Sequence, residues 1–200
     1  MTAAVRATPA LRTAPALRAT GALATLLGTG VLLLRPALAT RAGWTPLTVT
    51  AVFGAVMVLG LATPVDAPAP LRPARAVPAR TVATALAGGL AVFTVGWLAA
   101  GGRSPYHPTA LLITLNSLAA VAEEALFRRV AFAALLPAGQ LAAIGGSALL
   151  FGLAHATVYG WWAVPLDTAA GLILGWQRWA SGTWLVPAFT HAFADLLVVI

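Results

Sequence analysis

The chain has 200 residues, of which 60% are hydrophobic and 8% are charged, and its mean hydropathy is +0.90. Soluble domains carry about 25% charged residues, so this composition excludes an ordinary soluble globule and predicts a helical protein embedded in a membrane. The net charge of +7 comes from arginines scattered among apolar runs, which argues against nucleic acid as a partner. The absence of cysteine excludes disulfides and thiolate metal sites.

The first part of the chain divides into a basic tail and three apolar segments. Residues 1–20 are a basic N-terminal tail, and the further apolar segments that follow favour a first transmembrane helix over a signal peptide. Residues 21–110 hold three predicted transmembrane helices and a proline-rich linker. The predicted helices are 21–34, 44–63 and 81–100, and the linker is 64–80. Arg35, Pro36 and Arg41 are interpreted as the end of the first span.

Residues 111–200 are predicted to form one helical core with four further spans. Apolar runs long enough to cross a bilayer are separated by turns at 137–139 and 181–182, where proline and glycine occur. The predicted spans are 109–136, 140–157, 164–179 and 183–200. The sequence therefore predicts an all-α, polytopic transmembrane bundle of about seven spans in the cell membrane.

The arginines are distributed unevenly between the two ends of the predicted helices. If the helices alternate in direction, the end that holds the N-terminus receives Arg6, Arg12, Arg18, Arg72, Arg75, Arg80 and Arg178, and the other end receives Arg35, Arg41 and Arg103. Arginines gather on the cytoplasmic side of membrane proteins, so the N-terminus is predicted to be cytoplasmic.

Two neighbouring acidic residues, Glu123 and Glu124, interrupt the fourth predicted span, although the whole chain has only five. A carboxylate at bilayer depth costs roughly 3 kcal/mol on insertion scales, so it normally faces a partner or a polar cavity. Glu124 and Arg128 are four residues apart on one helical face and are predicted to form a structural salt bridge. Glu123 lies about 100° around the helix and is left without that partner.

Two other predicted spans carry residue pairs at the same spacing. Phe151 precedes His155 in the fifth span, and His191 precedes Asp195 in the seventh. Phe151 is interpreted as a packing residue beneath His155. If these faces meet the fourth span, a polar site lies between spans four, five and seven, with Glu123, two imidazoles and an acid around it.

Three interpretations fit these residue types. In the first, Glu123 is a general base for a water that His155 helps to hold, while His191 and Asp195 stabilise the oxyanion of an attacked amide. In the second, Glu123, His155 and His191 bind Zn²⁺, which activates the water. In the third, the same groups form the proton relay of a carrier or belong to a non-catalytic scaffold, although no inverted repeat is visible in the sequence.

Three motifs connect the chain with a known family. EEALFR at 123–128, FGLAH at 151–155 and HAFAD at 191–195 have the forms EExxxR, FxxxH and HxxxN/D. In this order and spacing they resemble the CPBP family of intramembrane proteases, which includes the CAAX prenyl endopeptidases (Rce1-like, Abi-type). The segment 171–191 is also similar to that family's glycine-rich helix, tight turn and proline-containing last helix. The resemblance covers about residues 111–195 and marks 111–200 as the catalytic core.

The resemblance implies an intramembrane glutamic endopeptidase that needs no cofactor and acts on a peptide or membrane protein. Glu123 would be the base, paired with His155 across the water, and His191 with Asp195 would form the oxyanion pocket. The family often has Asn at the position of Asp195, and an amide is a ready hydrogen-bond donor. The implied supporting residues are Glu124, Arg128 and Phe151.

In bacteria the resemblance points to peptide or bacteriocin processing and self-immunity. The breaks near Pro187 and Gly182 are predicted to open a lateral path for the substrate.

Overall fold

The computed structural model describes residues 10–43, 45–65, 77–104 and 107–200, with side chains from residue 15 onward. All regular structure within these ranges is helical, and the described residues contain no strand. Residues 1–9 of the predicted tail and most of the predicted proline-rich linker lie outside the described residues, as does Trp44.

Three helices form the N-terminal part: α1 (Ala10–Ala42), α2 (Pro46–Ala62) and α3 (Ala79–Ala99). The start of α2 follows from its sequence, because the Thr45 side chain accepts a hydrogen bond from the Thr48 amide and Pro46 occupies the first helical turn. Of the residues predicted to end the first span, Arg41 does lie in the last turn of α1, but Arg35 and Pro36 do not end it, since α1 continues through both. Arg35 is buried and paired inside the bundle, so it does not mark an interface with water.

The fourth predicted span is one continuous helical segment from Ala110 to Ala138, called the acidic helix below. It consists of α4 (Ala110–Glu124), a π-helical segment (Ala125–Ala131), the short α5 (Phe132–Leu135) and a final 3₁₀ turn (Leu136–Ala138). A π-helical turn inserts an extra residue into the helical repeat and is frequent at functional sites. Here it begins directly after the acidic pair.

Three helices complete the bundle: α6 (Gln140–Tyr159), α7 (Ala163–Ser181) and α8 (Leu185–Val199). Helices α6 and α7 can pack closely because Gly171 has no side chain; a Cβ at this position would lie only 2.9 Å from the Ala148 Cα. Gly182 ends α7 in the left-handed conformation, with φ of 72°, and so turns the chain towards α8. In the packed bundle α4 contacts α2 and α8, while α6 contacts α1 and α7.

The helices of the described residues suit a membrane. Four segments are long and apolar enough to cross one, and the apolar α2 and α8 are shorter. Large apolar side chains such as Leu26, Leu47 and Leu141 are exposed on the outside of the bundle, where lipid would cover them. The predicted all-α membrane bundle is therefore confirmed. The four long segments are Pro15–Ala42, Ala79–Ala99, Ala110–Ala138 and Gln140–Tyr159.

Candidate active site

Glu123 is buried with only 3% of its surface exposed, yet both of its carboxylate oxygens face ionisable groups. Its Oε1 lies 3.1 Å from Nη1 of Arg35, and its Oε2 lies 3.6 Å from Nε2 of His155. One oxygen is therefore bound in an ion pair, while the other is directed towards an imidazole.

Glu123 was predicted to lack Arg128 as a partner, and the structure gives it a basic partner from another helix. The partner is Arg35 of α1, which is 88 residues away in sequence and was taken for the end of a span. One signal was available in the sequence, because the apolar residues of 31–34 before Arg35 are followed by the apolar 36–39 after it. An arginine with apolar residues on both sides is typical of a paired intramembrane charge.

Glu124 has a different set of partners. The predicted salt bridge to Arg128 is confirmed, with 3.3 Å between Nε and Oε2, and neither residue is exposed. Nδ1 of His191 lies 3.1 Å from the other oxygen, Oε1. Arg128 also donates from Nη2 to the carbonyl of Gly171 on α7. Glu124 therefore links the acidic helix to α8, while Arg128 links it to α7.

The two histidines are oriented through their Nδ1 atoms. Nδ1 of His155 lies 2.9 Å from the carbonyl oxygen of Phe151, which can only accept, so this nitrogen donates and Nε2 is directed towards Glu123. Nδ1 of His191 faces Glu124, and its Nε2 lies 3.7 Å from Oδ1 of Asp195. The Phe151 ring packs between them, with centroid distances of 4.6 Å to His155 and 5.3 Å to His191.

A cavity of about 480 Å³ connects these groups, and the predicted site between spans four, five and seven corresponds to the acidic helix, α6 and α8. Glu123, His155, His191 and Asp195 all contribute to its wall. The structure also brings in α1, through Arg35, and α2. The apolar part of the wall comes from α2, α4, α6 and α8, through Val49, Phe53, Leu112, Leu115, Val158 and Val198.

The predicted lateral path near Pro187 and Gly182 does not coincide with this cavity. The described wall of the cavity includes neither residue, and Pro187 is buried. Both lie near the start of α8, whereas the cavity is lined by the later residues of α8 from His191 to Val198. Gly182 lies in the turn between α7 and α8, and Pro187 lies in the first turn of α8.

Besides Arg35, two polar residues of the cavity wall were not predicted. Asn116 lies seven residues before Glu123, on the same face of α4, and donates from Nδ2 to the carbonyl of Leu112. Tyr159 stacks on the His155 ring with a centroid distance of 5.8 Å and an angle of 8°. The sequence contained a signal for both, because Asn116 is seven residues from Glu123 and Tyr159 is four residues from His155, spacings that place side chains on one helical face.

The alternative prediction of a zinc site involves Glu123, His155 and His191. Within the described residues no group of three His, Asp or Glu side chains is arranged to hold a metal ion. Arg35 places a guanidinium on one oxygen of Glu123, where its positive charge would repel a bound metal cation. The arrangement therefore does not fit a three-ligand zinc site.

The fold and the site together define a class: a helical membrane protein that encloses carboxylates and imidazoles around a cavity in an apolar bundle. Residues 105–197 match the family model for type II CAAX prenyl endopeptidase Rce1-like proteins. This match confirms the resemblance predicted from the three motifs, and residues 105–197 are similar to the CAAX-type proteases of the Rce1-like family. No curated protein and no solved structure matches the chain.

Proposed function

We propose that the protein is an intramembrane glutamic endopeptidase in which a water activated by Glu123 hydrolyses a peptide bond. The observation that carries the proposal is the approach of Glu123 Oε2 to His155 Nε2, 3.6 Å apart, at the wall of the cavity. A water beside this pair can donate one hydrogen to each acceptor, which orients its oxygen lone pair towards a carbonyl carbon.

In the proposed reaction, Glu123 removes a proton from the water while the oxygen attacks the amide carbonyl of the substrate. The negative charge that develops on the carbonyl oxygen requires donors. His191 supplies one from Nε2 when both ring nitrogens carry hydrogen, with its Nδ1 facing the Glu124 carboxylate. Glu123 then transfers its proton to the leaving amine nitrogen, and the C–N bond breaks.

The cavity wall supports a peptide substrate with apolar side chains. Phe53, Leu115 and Val158 contribute to its apolar part, which excludes bulk water and accepts aliphatic or aromatic groups. A transmembrane segment or a hydrophobic peptide has this character. Peptide or bacteriocin processing, and self-immunity, are roles that such an activity would serve.

We also propose that the chain crosses the membrane several times with its N-terminus in the cytoplasm. The burial of Arg35 removes one arginine from the less basic end of the bundle, which then has Arg41 and Arg103. The difference in the number of arginines between the two ends therefore increases, and the proposed orientation rests on this difference.

The decisive variant is Glu123→Gln, which keeps the size of the side chain and removes its capacity to accept a proton. We expect cleavage of a library of hydrophobic peptides by the purified protein in detergent to fall by about 10²- to 10⁴-fold, the usual contribution of a general base. The matched control is Asp66→Asn, the same chemical change in the predicted proline-rich linker, with activity expected within about twofold of wild type.

Three results would count against the proposal. Wild-type activity of Glu123→Gln would remove Glu123 as the base. Stoichiometric zinc in the purified protein, together with loss of activity under a chelator, would favour the metal-dependent hydrolysis. Inactivity of the wild-type protein on every peptide, with proton-coupled transport in vesicles, would favour a carrier.

A further inference from the structure

Arg35 differs in its contacts from an arginine that only stabilises packing. It is 5% exposed, and it donates from Nη1 to Glu123 at 3.1 Å and from Nη2 to the Ala154 carbonyl at 3.5 Å. Its Nε has no hydrogen-bond partner. The best-formed hydrogen bond of this buried guanidinium is therefore the one to the proposed base.

Arg129 provides the comparison within the same bundle. Its Nη1 donates to the carbonyls of Gly60 and Thr63, where it satisfies backbone acceptors at the end of α2. That arrangement ties two helices together and involves no cavity residue. Arg35, in contrast, lines the cavity and its ion pair is with a cavity carboxylate.

The ion pair has two physical consequences for Glu123. A carboxylate buried among apolar helices loses its hydration, and a neighbouring guanidinium offsets that loss and favours the ionised form, which alone can accept a proton from water. The same contact holds Oε1, so that Oε2 is the oxygen directed towards His155. One side chain of α1 thus contributes to both the charge and the orientation of the proposed base.

We propose that Arg35 is a positioning residue of the active site, which keeps Glu123 ionised and directs its free oxygen towards the reacting water. This inference rests on the proposed function. It also implies that the family-matched segment 105–197 is incomplete on its own, because α1 supplies a residue that the base requires.

Three variants of the full-length protein test the proposal. Arg35→Met keeps the length of the side chain without its charge, and we expect kcat to fall by at least about 10²-fold with KM within about threefold of wild type. Arg35→Lys retains the positive charge and should recover at least about tenfold of the lost rate. Arg35→Ala should regain activity on addition of guanidinium ion at millimolar concentration, because the ion can occupy the space left beside Glu123.

The control is Arg41→Met, which removes the same charge from an exposed position in the last turn of α1. Its activity should stay within about twofold of wild type, and guanidinium should not stimulate it.

The outcomes separate this inference from the proposed function. If Arg35→Met is as active as wild type while Glu123→Gln is inactive, Arg35 has no positioning role and the proposed function stands. If Glu123→Gln is active, the proposed function itself fails. A defect in folding does not mimic the prediction, because an unfolded Arg35→Ala protein gains nothing from guanidinium. The inference is overturned if Arg35→Ala is folded but stays inactive when guanidinium is added, and Arg35→Lys is no more active than Arg35→Met.

Discussion

At the scale of single residues, the two adjacent glutamates differ because the helix directs them to different partners. Glu124 contacts Arg128 and His191 and is fully buried, so its charge is used in holding helices together. Glu123 contacts Arg35 on one oxygen and faces His155 and the cavity with the other. Neighbouring side chains on a helix point about 100° apart, which is enough to give one carboxylate partners between helices and to direct the other, the proposed base, towards the cavity.

Asp195 allows a direct test of the proposed oxyanion pocket. Its Oδ1 lies 3.7 Å from Nε2 of His191, and its side chain lines the cavity. A carboxylic acid donates a hydrogen bond only when protonated, whereas an amide always can. We therefore expect Asp195→Asn to retain or exceed the wild-type kcat, and Asp195→Ala to lose about 10- to 10³-fold. Steady-state kinetics on the same peptide measure both.

The comparison of the two Asp195 variants contains its own control, because both remove the negative charge and only one retains a donor. Equal loss of activity in Asn and Ala variants would mean that the charge of Asp195 matters to His191 and that donation does not.

At the scale of helices, the position of His155 depends on how closely α6 and α7 approach. Gly152 lies one turn before His155, and a Cβ there would be 2.2 Å from Thr168 Oγ1 and 2.9 Å from the Val164 carbonyl oxygen of α7. Backbone atoms cannot rotate away as a side chain can, so an added methyl group would move one helix relative to the other. The distance between His155 and Glu123 would change with it.

For Gly152→Ala we expect a loss of about 1–3 kcal/mol in unfolding free energy and at least tenfold lower activity, since small displacements of catalytic groups are costly. Thermal unfolding in detergent and peptide cleavage measure the two effects. Gly145→Ala is the control on the same helix, because its Cβ would meet nothing within 4 Å. It should be neutral or slightly stabilising, as alanine favours helix over glycine. If stability and activity fell equally in both variants, the cause would be a general sensitivity of α6 to substitution. The close packing of α6 on α7 would then not be what positions His155.

At the scale of the whole molecule, the cavity lies at one end of the bundle. Its wall uses the later turns of α1, α6 and α8 and the earlier turns of α2 and α4, which the alternating helices bring to the same side. The start of α1 and Arg178, near the end of α7, lie at the opposite end. With the N-terminus in the cytoplasm, the cavity is then nearer the other face of the membrane, and substrates would reach it from there.

The absence of native cysteine allows this orientation to be tested by single-cysteine labelling. Ala100, after α3, is exposed at the cavity end, and Ala138, after α5, is exposed at the opposite end. We expect a membrane-impermeant maleimide to label Ala100→Cys in intact cells and Ala138→Cys only after permeabilisation. The two variants control each other, and the reversed pattern would place the N-terminus outside and the cavity towards the cytoplasm.

Sequence and structure agree best where the information is local. The helices 140–157 and 164–179 were predicted within a few residues of α6 and α7, because apolar runs and the breaks at Gly139 and Gly182 are encoded in the segments themselves. The pair Glu124 and Arg128 was predicted for the same reason, since a spacing of four residues brings side chains together on any helix. The end of α1 was mispredicted because Pro36 and Arg35 look like a helix end when burial and partners are unknown.

The sequence by itself determined that the chain is a helical membrane bundle and that acidic, imidazole and arginine side chains recur at helical spacing in its core. These properties follow from composition and from the 3.6-residue repeat, which act within a single segment. Only the tertiary structure decided that Arg35 of α1 pairs with Glu123, that His191 contacts Glu124, and that the cavity lies away from Pro187. Those contacts join residues far apart in the chain. The chain has several residues of each type, and only the packing of the helices determines which of them form a pair.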